Sequence, residues 1–214
     1  MNMLQFIKNS TGIELNSKQV EQLNEYSRIL AQENEKYNLT AITEPSEVWE
    51  KHFADSILGS VAIKQGASVA DIGAGAGFPS LPLAIARTDI SVTLVDSLEK
   101  RVNFCKDVCR AVGIEASFFH ERAEDFAKTH RETYDVATAR AVAPLNILLE
   151  YTAQIVKIGG IVLAYKTDAS EAEIAENACN ALGLRAEKFI DFTLPSGAKR
   201  CLMVFKKVKQ TPSK

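Results

Sequence analysis

From Ala67 onward, short apolar runs alternate with stretches whose apolar residues recur every three or four positions, which is the pattern of strands and helices taken in turn. Residues 68–72, 91–95, 115–119, 134–139 and 160–166 read as strands, with helices over 98–113 and 170–182. Segments 186–194 and 200–207 flank Pro195, Ser196 and Gly197, a turn that fits an antiparallel hairpin. Strand and helix alternation of this kind predicts an α/β fold, a doubly wound and mostly parallel sheet with right-handed crossovers.

Before the first strand the period is helical. Residues 16–37 place Val20, Leu23, Ser27 and Leu30 on one stripe, and Asn16 with Gln19 offers a capping box. A loop through Asn38, Leu39 and Thr40 leads to Pro45, and a second helix is expected over 46–62 with Trp49, Phe53 and Ile57 on one face. The chain therefore divides into an N-terminal helical extension (1–64), an α/β domain (65–208) and a short tail (209–214), with the extension as a candidate cap on the substrate side.

The candidate chemistry begins where the first strand ends, in the run DIGAGAGFPS from Asp71 to Ser80. Gly73, Gly75 and Gly77 strip side chains from a strand-to-helix turn, Pro79 is placed for a first helical position, and the helix start offers free N–H groups to a ligand. A dinucleotide fingerprint would carry its third glycine where this chain has Phe78. The GxGxG spacing fits S-adenosylmethionine better, since that molecule needs close backbone and brings no pyrophosphate. Gly73 and Gly75 are thus cofactor-binding candidates, and a plain tight turn is the competing reading.

Asp96 ends the second strand 23 residues beyond Gly73 and is the expected acceptor for two ribose hydroxyls, or else the cap of the helix that follows. The loop after the third strand reaches the same carboxyl edge, where the Ala123 N–H and Glu124 would face an adenine, or where Glu124 and Asp125 simply open a helix. At the end of the fourth strand stand Ala139, Arg140 and Ala141. Enzymes that methylate exocyclic amines carry an Asn/Asp-Pro-Pro-aromatic motif there, and pyrimidine-C5 enzymes use a cysteine nucleophile; this chain has neither. A substrate atom that is already nucleophilic fits better, and no residue is assigned as a general base. Arg140 could fork onto a carboxylate, a phosphate or a guanine edge, or pair with Glu124 or Asp71.

Composition narrows the rest. With 214 residues and 46% hydrophobic content the chain can bury a large core, and no apolar run approaches a bilayer span. The N-terminus lacks a signal-sequence pattern, so a soluble, cytoplasmic protein is expected. Cys105, Cys109, Cys179 and Cys201 form no CxxC pair and are read as buried, reduced thiols, with no metal site. Net charge is −2, but residues 192–214 hold six basic and no acidic residues, Lys199, Arg200, Lys206, Lys207, Lys209 and Lys214, whereas residues 1–65 hold six basic and nine acidic. The basic end could track phosphates or be ordinary solvated surface.

Taken together, DIGAGAGFPSLPLAI, VDSLEKRVNF, RAEDF and ARAVAPL, preceded by YNLTAI and KHFADS, resemble the glucose-inhibited division protein B family over about residues 20–207. That family consists of small-subunit (16S) ribosomal RNA methyltransferases that make 7-methylguanosine. The resemblance implies a Rossmann-like class I methyltransferase fold with a seven-stranded sheet. It also implies S-adenosylmethionine contacts at Gly73, Phe78, Ala123, Glu124 and Arg140, with Asp96 near the ribose. Two positions depart from the family pattern: Ser80 stands where FPG is usual, and Lys166 is followed by Thr167 rather than glycine. The implied partner is small-subunit ribosomal RNA, free or within an assembled 30S particle, and the chain is expected to act as a monomer. His52, Asp55, Lys166 and Arg200 are candidate RNA contacts, each with a surface or capping role as its alternative. Methyl transfer to a small molecule or protein, a nicotinamide dehydrogenase (disfavoured by Phe78) and a non-enzymatic RNA-binding module are the competing functions.

Overall fold

A computed structural model describes residues 2–140 and 143–212; Ala141 and Lys214, both used in the sequence reading, lie outside them. The helical extension opens with α1 (Met3–Thr11), which the sequence reading did not anticipate, and continues with α2 (Ser17–Tyr37). Asn16 and Gln19 close the expected capping box on α2, and the helix buries Gln19, Leu23, Tyr26, Ser27 and Leu30, while Val20 is only half-buried.

The second expected helix is instead a composite rod. It starts one residue earlier, with Pro45 at the first position of α3 (Pro45–Val48), passes through a π-helical turn (Trp49–Ala54), resumes as α4 (Asp55–Leu58) and ends in a 3-10 turn (Gly59–Ala62). Residue periodicity does not distinguish these windings, because the extra residue of a π turn shifts the buried stripe by a fraction of a turn. Phe53 and Ile57 are fully buried as expected, and Trp49 lies half-buried above them.

Beyond the rod follow β1 (Ser68–Ile72), α5 (Ser80–Ala86), β2 (Ser91–Asp96), α6 (Glu99–Val112), β3 (Ser117–His120), α7 (Ala123–Thr129), β4 (Tyr134–Arg140), α8 (Leu145–Ala153), β5 (Val156–Lys166), α9 (Ala172–Leu182), β6 (Leu184–Thr193) and β7 (Lys199–Lys207). Strand order is β3-β2-β1-β4-β5-β7-β6, parallel from β3 through β5, with β7 antiparallel to both neighbours. This is the seven-stranded, doubly wound sheet with a terminal hairpin. β5 starts four residues before the expected position, because Gly159, which suggests a turn ahead of the strand, lies within an irregular bulge against β4. Helix α8 was not anticipated either, although Leu145, Leu148, Leu149 and Thr152 carry a helical stripe just after Pro144.

Alternation along the strands builds two cores. Val69, Val136, Ile161, Leu163, Tyr165, Leu202 and Val204 face the side that carries α1 to α6, and Ala70, Ile72, Ala137, Val162, Ala164, Met203 and Phe205 face α7, α8 and α9. The helical extension thus shares one continuous core with the sheet, through Phe6, Ile7, Leu23, Tyr26, Phe53 and Ile57. The chain runs outward from β1 to β3 and then crosses back to β4, so the sheet's switch point opens above β1, β2 and β4. Among the described residues no helix is long and apolar enough to cross a membrane.

Candidate functional site

At the carboxyl edge above the switch point lies a cavity of about 530 Å³, lined by the glycine turn, the ends of β2 and β4, the start of α7 and the loop before the rod. The turn is held from below, as the Gly73 and Ala74 N–H groups donate to Val95 O at 2.8 and 3.1 Å. Gly73, Gly75 and Gly77 have φ of 72°, 58° and 90°, a left-handed region that side chains avoid. Pro79 precedes α5 as its cap residue, one place earlier than expected.

The extension buttresses this turn. Tyr26 on α2 is fully buried, donates its hydroxyl hydrogen bond to Ala76 O and stacks on Phe78 with ring centroids 5.4 Å apart. Leu23, Ser27 and Leu30 of the expected α2 stripe are buried, and Tyr26, three positions after Leu23, is a buried member outside it.

Leu98, not Asp96, is the cap residue of α6, and Asp96 lies two residues before it in the cavity wall. Its Oδ2 accepts the Gly75 N–H and its Oδ1 the Leu98 N–H, each at 2.9 Å, and Arg101 lies at 3.5 Å. The carboxylate thereby ties the turn to the start of α6 while still lining the cavity. Ala123 and Glu124 open α7 and line the same cavity, as does Tyr151 from the unanticipated α8. The Glu124 carboxylate holds the Tyr151 phenol above its ordinary value. Leu39, Thr40, Ser97, Arg101, Glu121, Arg122 and Ala143 complete the lining and were not singled out beforehand.

Arg140 lines the cavity at the end of β4, and its partner is neither Glu124 nor Asp71. Its Nη1 donates to Asp55 Oδ2 and to Lys51 O, both at 3.2 Å, its Nη2 donates to His52 Nδ1 at 3.0 Å, and its guanidinium lies 4.9 Å from the Phe78 ring centre. Asp55 Oδ2 also forms an ion pair with Arg200 Nε at 3.0 Å. Three of the four candidate RNA contacts are therefore brought together around Arg140, with His52 in the cavity wall and Asp55 buried behind it. Lys166 is placed apart, donating to Glu171 Oε1 at 2.7 Å and to Ala143 O at 3.3 Å.

The basic C-terminal stretch does not form one surface. Lys207 is buried and donates to Ala153 O, Lys206 reaches Gly159 O at the opposite sheet edge, and Arg200 is held by Asp55. All four cysteines are buried and unbridged, and Cys105 Sγ sits 3.6 Å from Gly75 O.

Two buried titratable groups face opposite ways in pH. Burial raises the Asp71 carboxyl to about 7, against the ordinary 3.8; its Oδ2 accepts the Ser80 N–H at 3.3 Å, while its Oδ1 and the Ser80 hydroxyl have no hydrogen-bond partner among the described residues. Burial, with the Arg140 charge second, lowers the His52 imidazole from 6.5 to about 3. Folded Asp71 keeps a proton that the unfolded chain has released, so its contribution is lost as pH rises from about 4 to 7. Folded His52 refuses a proton that the unfolded chain accepts, so its contribution is lost as pH falls from 6.5 towards 3. The two slopes oppose each other between about pH 4 and 6.5, each at about 1.4 kcal/mol per pH unit. Urea unfolding across this range is expected to show stability falling with pH in His52→Asn and rising with pH in Asp71→Asn, relative to the parent. Parallel curves for all three proteins would contradict both assignments.

A family model described as GidB, rRNA small subunit methyltransferase G, matches residues 19–198. The chain is 42% identical to a ribosomal RNA small subunit methyltransferase G of Leuconostoc citreum over 96% of this chain and 90% of that one. It is 46% identical to the protein of the same name from Streptococcus sanguinis, over 95% and 89%. Among solved structures the fold is similar to a ribosomal protein L11 methylase from Lactobacillus delbrueckii subsp. bulgaricus (TM-score 0.59, 16% identity, 74% of this chain and 79% of that one). It is also similar to a SAM dependent methyltransferase from Aquifex aeolicus (TM-score 0.58, 17% identity, 77% and 94%).

Proposed function

Given that the chain belongs to the rRNA small subunit methyltransferase G family, we propose that it methylates N7 of a guanine in small-subunit ribosomal RNA. The methyl donor is S-adenosylmethionine, which supplies an electrophilic methyl carbon bonded to a sulfonium. The observation that carries the reading is the cradle at the switch point. A Cβ built on Gly75 would meet nothing nearer than Gly73 O at 3.9 Å, so the glycine leaves open space over the turn, with the Asp96 carboxylate beside it.

In this reading Gly73 and Gly75 give the donor close backbone, Asp96 accepts from the ribose hydroxyls, and Ala123 with Glu124 meets the adenine. Phe78 and Arg140 complete the donor's contacts, at the wall that the helical extension supplies. Guanine N7 has a free lone pair and no proton. That pair forms the new N–C bond in line as the C–S bond breaks and sulfur keeps its electrons, so the protein's part is alignment rather than proton removal. His52, the imidazole in the wall, supports this: both of its nitrogens are engaged, by Arg140 and by Thr40 Oγ1 at 2.9 Å. Residues 65–208 form the donor-binding unit and residues 1–64 the cap. The protein acts in the cytoplasm as a monomer, without a metal.

Incubation with labelled S-adenosylmethionine and ribosomal RNA from a deletion strain, free and as 30S particles, is expected to yield labelled 7-methylguanosine on nucleoside analysis. Label on another nucleoside, or on none in either form, would reject the assignment.

A further inference from the structure

The wall contributed by the helical extension is built around a single guanidinium. Arg140 is gripped from two sides, by Lys51 O, His52 and Asp55 on the rod and by the Phe78 face after the glycine turn, and only 13% of its side chain is exposed. A guanidinium has five N–H donors and no acceptor. Three donor contacts are taken here, which leaves Nε–H and one Nη2–H without an acceptor among the described residues, on a side chain that lines the cavity.

The grip depends on His52 in one tautomer. Its Nδ1 receives the Arg140 N–H, so the proton sits on Nε2 and is donated to Thr40 Oγ1, while the ring stacks on Phe78 with centroids 4.4 Å apart. Asp55 adds direction and charge. One buried carboxylate shared by Arg140 and Arg200 leaves this wall with a net positive charge, since the imidazole is held neutral. The π turn sets the Lys51 carbonyl, His52 and Asp55 towards the same guanidinium, a placement in keeping with the frequent use of π bulges at functional sites.

On the reading that guanine N7 is the acceptor, the group beside the reacting atom decides which purine is used. Guanine carries the O6 acceptor next to N7, whereas adenine carries an amino donor there. We propose that Arg140 selects guanine by donating to O6, and that His52 and Asp55 are the positioning residues that fix it for that contact. A donor-only group accepts O6, repels the adenine amino group and leaves the N7 lone pair to the methyl carbon.

The test uses 30S particles whose RNA carries guanine or adenine at the mapped position, with the full-length protein. The parent is expected to label guanine and not adenine. His52→Leu is expected to lower kcat on guanine about tenfold, the loss of one hydrogen-bonded restraint. It also narrows the preference for guanine. His52→Asn, whose amide oxygen stands near the Nδ1 position, is expected to recover most of both, and Asp55→Asn to fall between them. A folded His52→Leu protein with parental kcat and preference would overturn the proposal, as would a His52→Asn protein no better than His52→Leu. Should His52→Leu not fold, Asp55→Asn with parental preference overturns it alone. Label outside N7 in the parent instead removes the underlying reading, so the two failures are distinct.

Discussion

Asp96→Ala is expected to weaken S-adenosylmethionine binding roughly 10- to 150-fold, the equivalent of about 1.5–3 kcal/mol for hydrogen bonds to a charged acceptor. The Asp96 carboxylate is placed for two tasks. It would receive the ribose hydroxyls, and it already receives the Gly75 and Leu98 N–H groups, which hold the turn against α6. Alanine removes both at once and leaves two backbone donors unpaired at a site where the residue is only 4% exposed. Asp96→Asn retains one acceptor oxygen and should fall between the parent and the alanine variant. Calorimetric titration of the three proteins decides the matter; an unchanged dissociation constant in Asp96→Ala would show that the ribose is held elsewhere.

Gly77→Ala is expected to destabilise the fold by about 2–5 kcal/mol, from about 1–2 for a side chain in the left-handed region plus about 1–3 for overpacking. An added Cβ would come within 2.6 Å of Leu81 Cδ1 and 2.7 Å of the Tyr26 hydroxyl oxygen, and φ is 90°. Gly12→Ala supplies the control, since φ there is 77° and nothing lies within 4 Å of the added atom. Any gain from a stiffer unfolded chain is common to both and cancels in the difference. Urea unfolding should therefore show the Gly12 variant losing only the strain part. Equal losses would mean that the contact between the extension and the glycine turn carries no energy.

The sheet was legible because its strands announce themselves locally. Short apolar runs ended at glycines or acids, and a strand buried on both faces needs little else. The same locality explains the miss at residues 156–159, where Gly159 suggests a turn although it belongs to a bulged strand. It explains the rod as well, because α, π and 3-10 turns differ by less than the spacing of apolar residues can register. Among the site residues, Gly73, Gly75, Asp96, Ala123 and Glu124 were found because each sits at the end of a strand or the start of a helix on one sheet edge. Tyr26 and Tyr151 were not, since their part in the site depends on which helix packs over that edge.

What the sequence by itself determined is the alternation of strands and helices of a doubly wound sheet and the glycine-rich turn at the end of its first strand, because backbone conformation and burial act over a few residues; the strand order, and with it the switch point, belongs to the tertiary structure. Only the tertiary structure decided that Asp55 and His52 close on Arg140, 85 and 88 residues away along the chain, with Arg200 joining from the last strand. A charge buried that deeply is stable only when paired, and which partner it finds depends on how the rod and the hairpin pack against the sheet, not on any local pattern.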